Sequence, residues 1–304
     1  MLNPETSPEL NKRDTDLSVE KITSSVGPDH ISLDHFKKLK NYTEEEVEKD
    51  KKKLKSTEAK FKKKDAELSP DERKELEMSR KRGEAMEIVL ADLLDRWFET
   101  DDIEVITQRT TRFDDVVNGI DIIIEFKTPE SIEKSALAID ASLNVAGIKE
   151  KLKRCYKKVT DENKEFQVKY FQGQFVDESG EYPHGRLQSV IPMAAGLGYK
   201  NANDLFEEFA EYLSARDRSP DEGREKMKKL ENNSIKKIFL KQIQNQLDFY
   251  KRNHEKINDD LVAEIEKISS IIDRVSEEMN SVVCDFRQKD DWVLKEIEKF
   301  SQNK

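Results

Sequence analysis

The stretch RTTRFDDVVNGIDIIIEFKTPESIEKSALAIDASLN, residues 109–144, decides the fold of this 304-residue chain. Two segments within it, 120–126 and 135–142, are rich in apolar and β-branched residues and predict β-strands. A further strand is predicted immediately upstream, over residues 103–111. Asn118-Gly119 is a strong turn signal between the first two strands. The sequence therefore predicts a meander of three strands.

Helical patterns flank this meander. Ser69-Pro70-Asp71-Glu72 is typical of a helix start, and apolar residues follow at helical spacing as far as Phe98. A second, basic helix is predicted over residues 145–159. Strands are predicted next at 166–171 and within 187–198. The order helix, three strands, helix, strand indicates a mixed α/β fold.

The remaining regions are strongly charged: 39% of all residues are Asp, Glu, Lys or Arg, and the net charge is −10. Residues 1–32 lack hydrophobic periodicity and are predicted to be a disordered tail. Residues 33–68 predict a charged helical extension. Residues 69–200 would form the α/β core. Residues 201–304 predict a helical hairpin or bundle, which offers a surface for forming a homo-oligomer.

Several functional classes are disfavoured. The chain has no apolar run of about 18 residues and no signal-peptide core, so we expect no association with a membrane. Cys155 and Cys284 lie far apart and form no disulfide framework or metal knuckle, which favours a cytoplasmic location. Sequence motifs for a phosphate-binding loop, a serine-hydrolase elbow and a zinc protease are absent.

Acidic residues in the predicted core suggest a metal site. Asp121 begins the second strand, and Asp140 interrupts an otherwise apolar third strand, where a charge is costly unless it is paired or bound to metal. Upstream, Glu84 and Glu87 lie one turn apart on the first helix. Carboxylates that converge would bind Mg²⁺ or Mn²⁺, which polarises a phosphate and activates water. The alternative is that these acids face solvent.

Short motifs follow one another in a recognisable order between about residues 75 and 250. They are Gly83-Glu84-Ala85-Met86-Glu87, Asp114-Asp115, Asn118-Gly119-Ile120-Asp121, Asp140-Ala141-Ser142, Lys169-Tyr170-Phe171 and Ile191-Pro192. This arrangement resembles the PD-(D/E)XK nuclease superfamily, and more closely a group of uncharacterised bacterial proteins of that type. The resemblance implies a restriction-endonuclease-like core that hydrolyses phosphodiester bonds, with DNA as the expected partner and Mg²⁺ or Mn²⁺ as the cofactor.

The resemblance also assigns roles to particular acids. Asp121 would be the metal ligand from the second strand and Asp140 the ligand from the third. Glu87 would be the helix carboxylate, and Glu84 is the competing choice for that role.

The lysine of the superfamily motif is missing, because Ser142 stands two residues after Asp140. In such folds the next helix sometimes supplies the lysine, and Lys149, Lys151 and Lys153 are available there. We take Lys149 and Lys153 as the candidate catalytic lysines, with the role of stabilising charge on the phosphate. Without a replacement, the protein would be a catalytically inactive nucleic-acid-binding or helical scaffold protein.

A second register fits the short motif more literally. Glu125-Phe126-Lys127 is an E-x-K sequence, and Asp114 and Asp115 precede it by about ten residues. Lys127 lies at a strand end, next to a predicted turn. We favour the first register, because Asp140 lies on the strand that leads into the basic helix.

That basic helix is the candidate nucleic-acid-binding element, because clustered cations neutralise phosphates. A solvated helix face is the alternative interpretation. Glu150 is the one acid among its cations, which are Lys149, Lys151, Lys153, Arg154, Lys157 and Lys158.

Overall fold

A computed structural model describes residues 8–25, 31–129, 135–143, 145–160, 166–175, 184–280 and 291–302. Its α-helices are α1 Pro8–Ser25, α2 Leu33–Phe36, α3 Glu44–Ala66, α4 Pro70–Phe98, α5 Val145–Thr160, α6 Tyr199–Arg218, α7 Pro220–Glu231, α8 Ile235–Arg252, α9 Asp259–Asn280 and α10 Trp292–Gln302. Its strands are β1 Glu104–Arg109, β2 Ile122–Lys127, β3 Ser135–Ser142, β4 Val168–Gln172, β5 His184–Leu187 and β6 Ile191–Gly196. The chain therefore has a mixed α/β fold with a large helical share.

The main sheet has the strand order β1-β2-β3-β6. The first three strands form the predicted antiparallel meander, and β6 pairs in parallel with β3, so that Asp140 lies opposite Ala194. Strands β4 and β5 form a separate two-stranded sheet. The β1–β2 connection is not a two-residue turn: it contains a π-helical turn, Asp114–Asn118, that ends at Gly119. Among the described residues, no helix is both long and apolar enough to span a bilayer.

Helices cover both faces of this sheet. Ile124 and Ile139 belong to the larger core, in which side chains of α4, α6, α8 and α9 pack. Asp140 lies on the opposite face, where Ile148 and Leu152 of α5 pack with Ala194 and with side chains of α10. Helix α5 is thus seated directly on the strand that carries Asp140.

Helix α4 begins where the sequence predicts. Ser69 caps it by accepting a hydrogen bond from the backbone N–H of Glu72, and the Glu72 carboxylate accepts one in return from the N–H of Ser69 at 2.8 Å. This reciprocal pair satisfies two backbone donors at the helix start. The helix then runs for 29 residues, which is long enough to contact both the sheet and α1.

The N-terminal region differs from its prediction, whereas the C-terminal region is helical as predicted. The sequence predicts a disordered tail over residues 1–32, whereas 8–25 form helix α1, in which Val19 and Ile22 are fully buried against α4 and α6. Apolar residues three apart lie on one helix face, and here two of them anchor an otherwise polar segment. The helices after residue 201 pack in pairs, α6 with α7 and α8 with α9, in agreement with the predicted helical hairpin or bundle. Helices α8, α9 and α10 also pack against the chain's own sheet and α5.

The outer edge of β6 is closed by glutamines of α8. The side chain of Gln242 accepts a hydrogen bond from the N–H of Gly196 at 3.0 Å and donates one to its carbonyl at 2.7 Å. Gln246 makes the same pair of bonds with Ala194, at 2.9 and 2.7 Å. These side-chain amides imitate the next strand of the sheet, and so the edge does not present unpaired backbone groups.

Candidate active site

Asp121 and Asp140 lie beside each other at one end of the sheet. The backbone N–H of Asp121 donates to the carbonyl of Ile139 at 2.8 Å, and its Oδ2 accepts from the N–H of Ala141 at 2.7 Å. These bonds fix the Asp121 side chain against β3. Asp140 is only 2% exposed, as expected for an acid in an apolar strand that has found partners.

The partner shared by both acids is Lys151 of α5. Its Nζ lies 3.6 Å from Oδ2 of Asp121, and it contacts both Oδ1 of Asp140 and the carbonyl oxygen of Ala141. Two carboxylates and one backbone carbonyl therefore converge on a single cationic group. The side chain of Lys151 is 23% exposed, whereas the side chains of Asp121 and Asp140 are almost fully buried.

Arg154, one turn further along α5, binds the other oxygen of Asp140. Its guanidinium lies against Gly119, where a Cβ atom would come within 3.0 Å of the guanidinium carbon. Gly119 also has a φ of +61°, in the left-handed region that glycine adopts without strain. The Asn118-Gly119 motif therefore both ends the π-turn and makes room for Arg154.

Glu87 of α4 approaches the same acids from the side of the helix. Burial, together with the charges of Asp121 and Asp115, raises its pKa to about 8 against the opposing effect of Arg109. Arg109 is its direct partner, at 3.2 Å. Glu84 is exposed and lines the same groove. Glu87 is thus the half-buried helix carboxylate of this site.

The two central groups have perturbed pKa values. Burial raises the pKa of Asp121 to about 7, an effect that Lys151 opposes and Asp140 reinforces. Burial would lower the pKa of Lys151, but Asp121 and Asp140 outweigh it, so the net shift is upward. Lys151 is consequently charged at neutral pH, while Asp121 exchanges its proton in the neutral range.

These residues line an open groove of about 830 Å³ between α3, α4, the π-turn and α5. Helix α3 forms one wall, with Phe61 at the lip, and Asp65 joins it to Arg80 at 2.6 Å. Asp115 lines the groove and pairs with Arg112, also at 2.6 Å. The sequence predicts a charged helix in this region but not its contribution to the groove, because a run of charges with a single aromatic residue, Phe61, does not mark a site.

The orientation of α5 on the sheet determines which of its candidate lysines reaches the carboxylates. Ile148 and Leu152 face the sheet, which turns Lys151 towards the carboxylates. Lys149 instead pairs with Glu296 of α10 at 3.4 Å. Lys153 is 68% exposed and pairs with its neighbour Glu150. The expectation that Lys149 and Lys153 approach the acids is therefore corrected: Lys151 is the lysine that does.

The residues of the second register, Asp114 or Asp115 with Glu125 and Lys127, do not come together as a site. Glu125 is buried, and its carboxylate accepts a hydrogen bond from the N–H of Gln174 at 3.3 Å. Lys127 is exposed and pairs with Glu104 on the neighbouring strand at 3.2 Å. Neither residue lines the groove that holds Asp121.

Asp114, the other acid considered in that register, is fully buried, and its hydrogen bonds give it a structural role. Its carboxylate accepts hydrogen bonds from the N–H groups of Lys169 and Tyr170, each at 2.9 Å, and from the side chains of Thr111 and Asn118. With its oxygens engaged in this way, Asp114 joins the π-turn to β4 and supports the turn that positions Gly119.

No cluster of three or more His, Cys, Asp or Glu side chains suited to a metal ion occurs among the described residues. The oxygen atoms that surround Lys151 are a different set, since one of the three is a backbone carbonyl. All three are hard donors of the kind that Mg²⁺ and Mn²⁺ prefer. In this structure the three oxygen atoms surround the Lys151 ammonium.

Comparisons with known proteins assign no family: no family model matches the chain, and neither a curated protein nor a solved structure matches it.

Proposed function

We propose that this protein is a nuclease that hydrolyses phosphodiester bonds with Mg²⁺ or Mn²⁺ and has a restriction-endonuclease-like core. The observation that carries the proposal is the convergence of Asp121, Asp140 and the Ala141 carbonyl on Lys151. The element order α4, meander, α5 and a parallel strand β6 also supports it. DNA is the proposed substrate, and the cytoplasm is the proposed location.

The metal would be held by the carboxylates of Asp121 and Asp140 and by the carbonyl of Ala141. When bound, it would activate water and neutralise charge on the phosphate. Lys151 has three N–H donors next to these oxygens and can stabilise negative charge as it develops. Glu87, with a pKa of about 8, can hold or release a proton near neutral pH.

Lys151 can take the place of the lysine that is missing from the superfamily motif. The superfamily lysine belongs two residues after the third-strand acid, where this chain has Ser142. Lys151 reaches the same acids from α5, one element later, and it contacts Asp140 directly. The missing lysine of the motif is therefore replaced in space by a lysine from the following helix.

A second candidate function is nucleic-acid binding without cleavage. It is favoured by one observation: both oxygens of Asp140 are already engaged, one by Lys151 and the other by Arg154. A site that is neutralised internally has less need of a metal. The same cations would then bind phosphate groups without chemistry.

Cleavage assays distinguish the two candidates. Labelled single-stranded, duplex and branched DNA, and RNA, are incubated with Mg²⁺ or Mn²⁺ and with wild type, Asp140→Asn or the exposed-acid control Asp248→Asn. We expect metal-dependent cleavage that falls by about 100-fold or more in Asp140→Asn and is unchanged in the control. Absence of cleavage by wild type on every substrate, with binding retained, would support the non-cleaving alternative instead.

A further inference from the structure

A second pocket, of about 480 Å³, opens on the other side of Arg154. Arg154, Asn118 and Val117 line both this pocket and the active-site groove, so the two are continuous. The other residues that line it are Asp50, Lys53, Phe113, Lys157, Lys158, Phe166, Gln167 and Lys169.

The pocket has an excess of positive charge. Its lining holds five basic side chains and one acidic side chain, Asp50. Asp50 is already engaged by Lys169 at 2.6 Å and by the hydroxyl of Tyr170 at 2.8 Å. Lys53 and Lys157 form no ion pair within the described part of the chain. Cations without a partner at a concave surface favour an anionic ligand.

The pocket is also partly aromatic. The ammonium of Lys158 lies 4.6 Å from the centre of the Phe166 ring and donates to the carbonyl of Asn118 at 2.6 Å, rather than to a carboxylate. Phe113 also lines the pocket, but its side chain is buried and packs edge-on against Tyr170, so the partly exposed Phe166 is the more accessible ring. A wall that combines an aromatic ring with cations matches a ligand that has a flat ring system next to a phosphate.

We propose that this pocket binds the unstacked nucleotide adjacent to the scissile phosphate. The inference rests on the proposed nuclease function, because Arg154 connects the pocket to Asp140. Its consequence is substrate selection: a base within a continuous duplex is stacked on its neighbours and does not reach the pocket, whereas a base in a single strand does. The protein therefore prefers single-stranded nucleic acid.

Fluorescence anisotropy without divalent metal tests this pocket separately from cleavage. The probes are a labelled 12-nucleotide single strand and the corresponding blunt duplex. The full-length variants are Lys157→Gln, Phe166→Ala and a control, Lys299→Gln, which removes a charge from a 67% exposed lysine of α10. Lys157 is exposed, so its replacement keeps the test informative even if Phe166→Ala folds poorly.

We expect wild type to bind the single strand more tightly than the duplex. Lys157→Gln should weaken single-strand binding about threefold or more and reduce the slope of log affinity against log salt by about 0.7, the loss of one phosphate contact. Phe166→Ala should weaken it by roughly fivefold or more. Lys299→Gln should bind as wild type does.

Equal binding of both probes by wild type, or wild-type binding by Lys157→Gln, would overturn the pocket assignment. The outcomes also separate the two proposals. Selective binding without cleavage under any metal would refute the nuclease, and with it the position next to a scissile phosphate, but would leave the pocket as a binding site for an unstacked nucleotide. Cleavage without selective binding would refute the pocket and leave the nuclease.

Discussion

Replacing Lys151 by methionine removes one positive charge from between two buried acids while nearly preserving side-chain volume. In wild type, the Asp121 and Asp140 side chains are 8% and 2% exposed, and Lys151 contacts both. The variant leaves Asp121 without its nearby cation and Asp140 with Arg154 as its remaining basic partner. The effect of the substitution is therefore mainly electrostatic.

Removing one partner of a buried ion pair costs about 3–5 kcal/mol. Here Lys151 is partly in contact with solvent and Arg154 remains, so we expect a loss near the lower end, about 3 kcal/mol at pH 8. For a chain of this size such a loss lowers Tm by roughly 5 °C. At pH 5 the loss should be smaller, because Asp121, with a pKa of about 7 that rises further without Lys151, is then protonated.

Urea and thermal unfolding of wild type and Lys151→Met at pH 5 and pH 8 measure this difference. Lys153→Met is the matched control for stability, because Lys153 lies on the same helix, is 68% exposed and pairs only with the exposed Glu150. A loss of stability that is the same at both pH values would show that Lys151 acts through packing, and it would refute the electrostatic reasoning.

Three further outcomes are expected. The pKa of Asp121 is raised to about 7 and that of Glu87 to about 8, so the folded state binds more protons than the unfolded state between about pH 4 and 8. The stability of the metal-free protein should therefore fall as pH rises through this window. Urea unfolding across pH should show a flatter profile for Asp121→Asn combined with Glu87→Gln, and an unchanged profile would contradict the shifts. Gln242→Leu should cost roughly 2–4 kcal/mol in urea unfolding, because it leaves the N–H and C=O of Gly196 without partners, and a loss below 1 kcal/mol would argue against the edge-closing role. Gly196→Ala should cost about 3 kcal/mol or more, because the new Cβ would fall 1.8 Å from the backbone oxygen of Ser142, and near-wild-type stability would contradict the close pairing of β3 with β6.

Much of the core could be predicted from local patterns. Alternating and apolar segments gave the meander, and Ser69-Pro70 with Glu72 gave the start of α4. The helix α1 was missed because the apolar residues that bury it, Val19 and Ile22 among the described side chains, have their partners on distant elements. Burial of that kind is a property of tertiary structure, and composition does not reveal it.

The acids of the site could be predicted better than its cations. Asp140 stands out because it is charged within an apolar strand, and that signal is local. The choice between Lys149, Lys151 and Lys153 depends on how α5 is rotated on the sheet, which Ile148 and Leu152 determine through contacts with β6 and α10. The contribution of α3 to the groove depends on its contacts with the π-turn and on the Asp65–Arg80 ion pair, for which the sequence contains no comparable signal.

The most direct test of the site is an electron paramagnetic resonance titration of Mn²⁺ at pH 8 with wild type, Asp140→Asn and Lys151→Met. Because Lys151 occupies the point where the three oxygen atoms meet, we expect wild type to bind one Mn²⁺, Asp140→Asn to bind it much more weakly, and Lys151→Met to bind it more tightly than wild type. Binding that is equal in all three proteins, or absent from all three, would contradict the assignment of these oxygen atoms as a metal site.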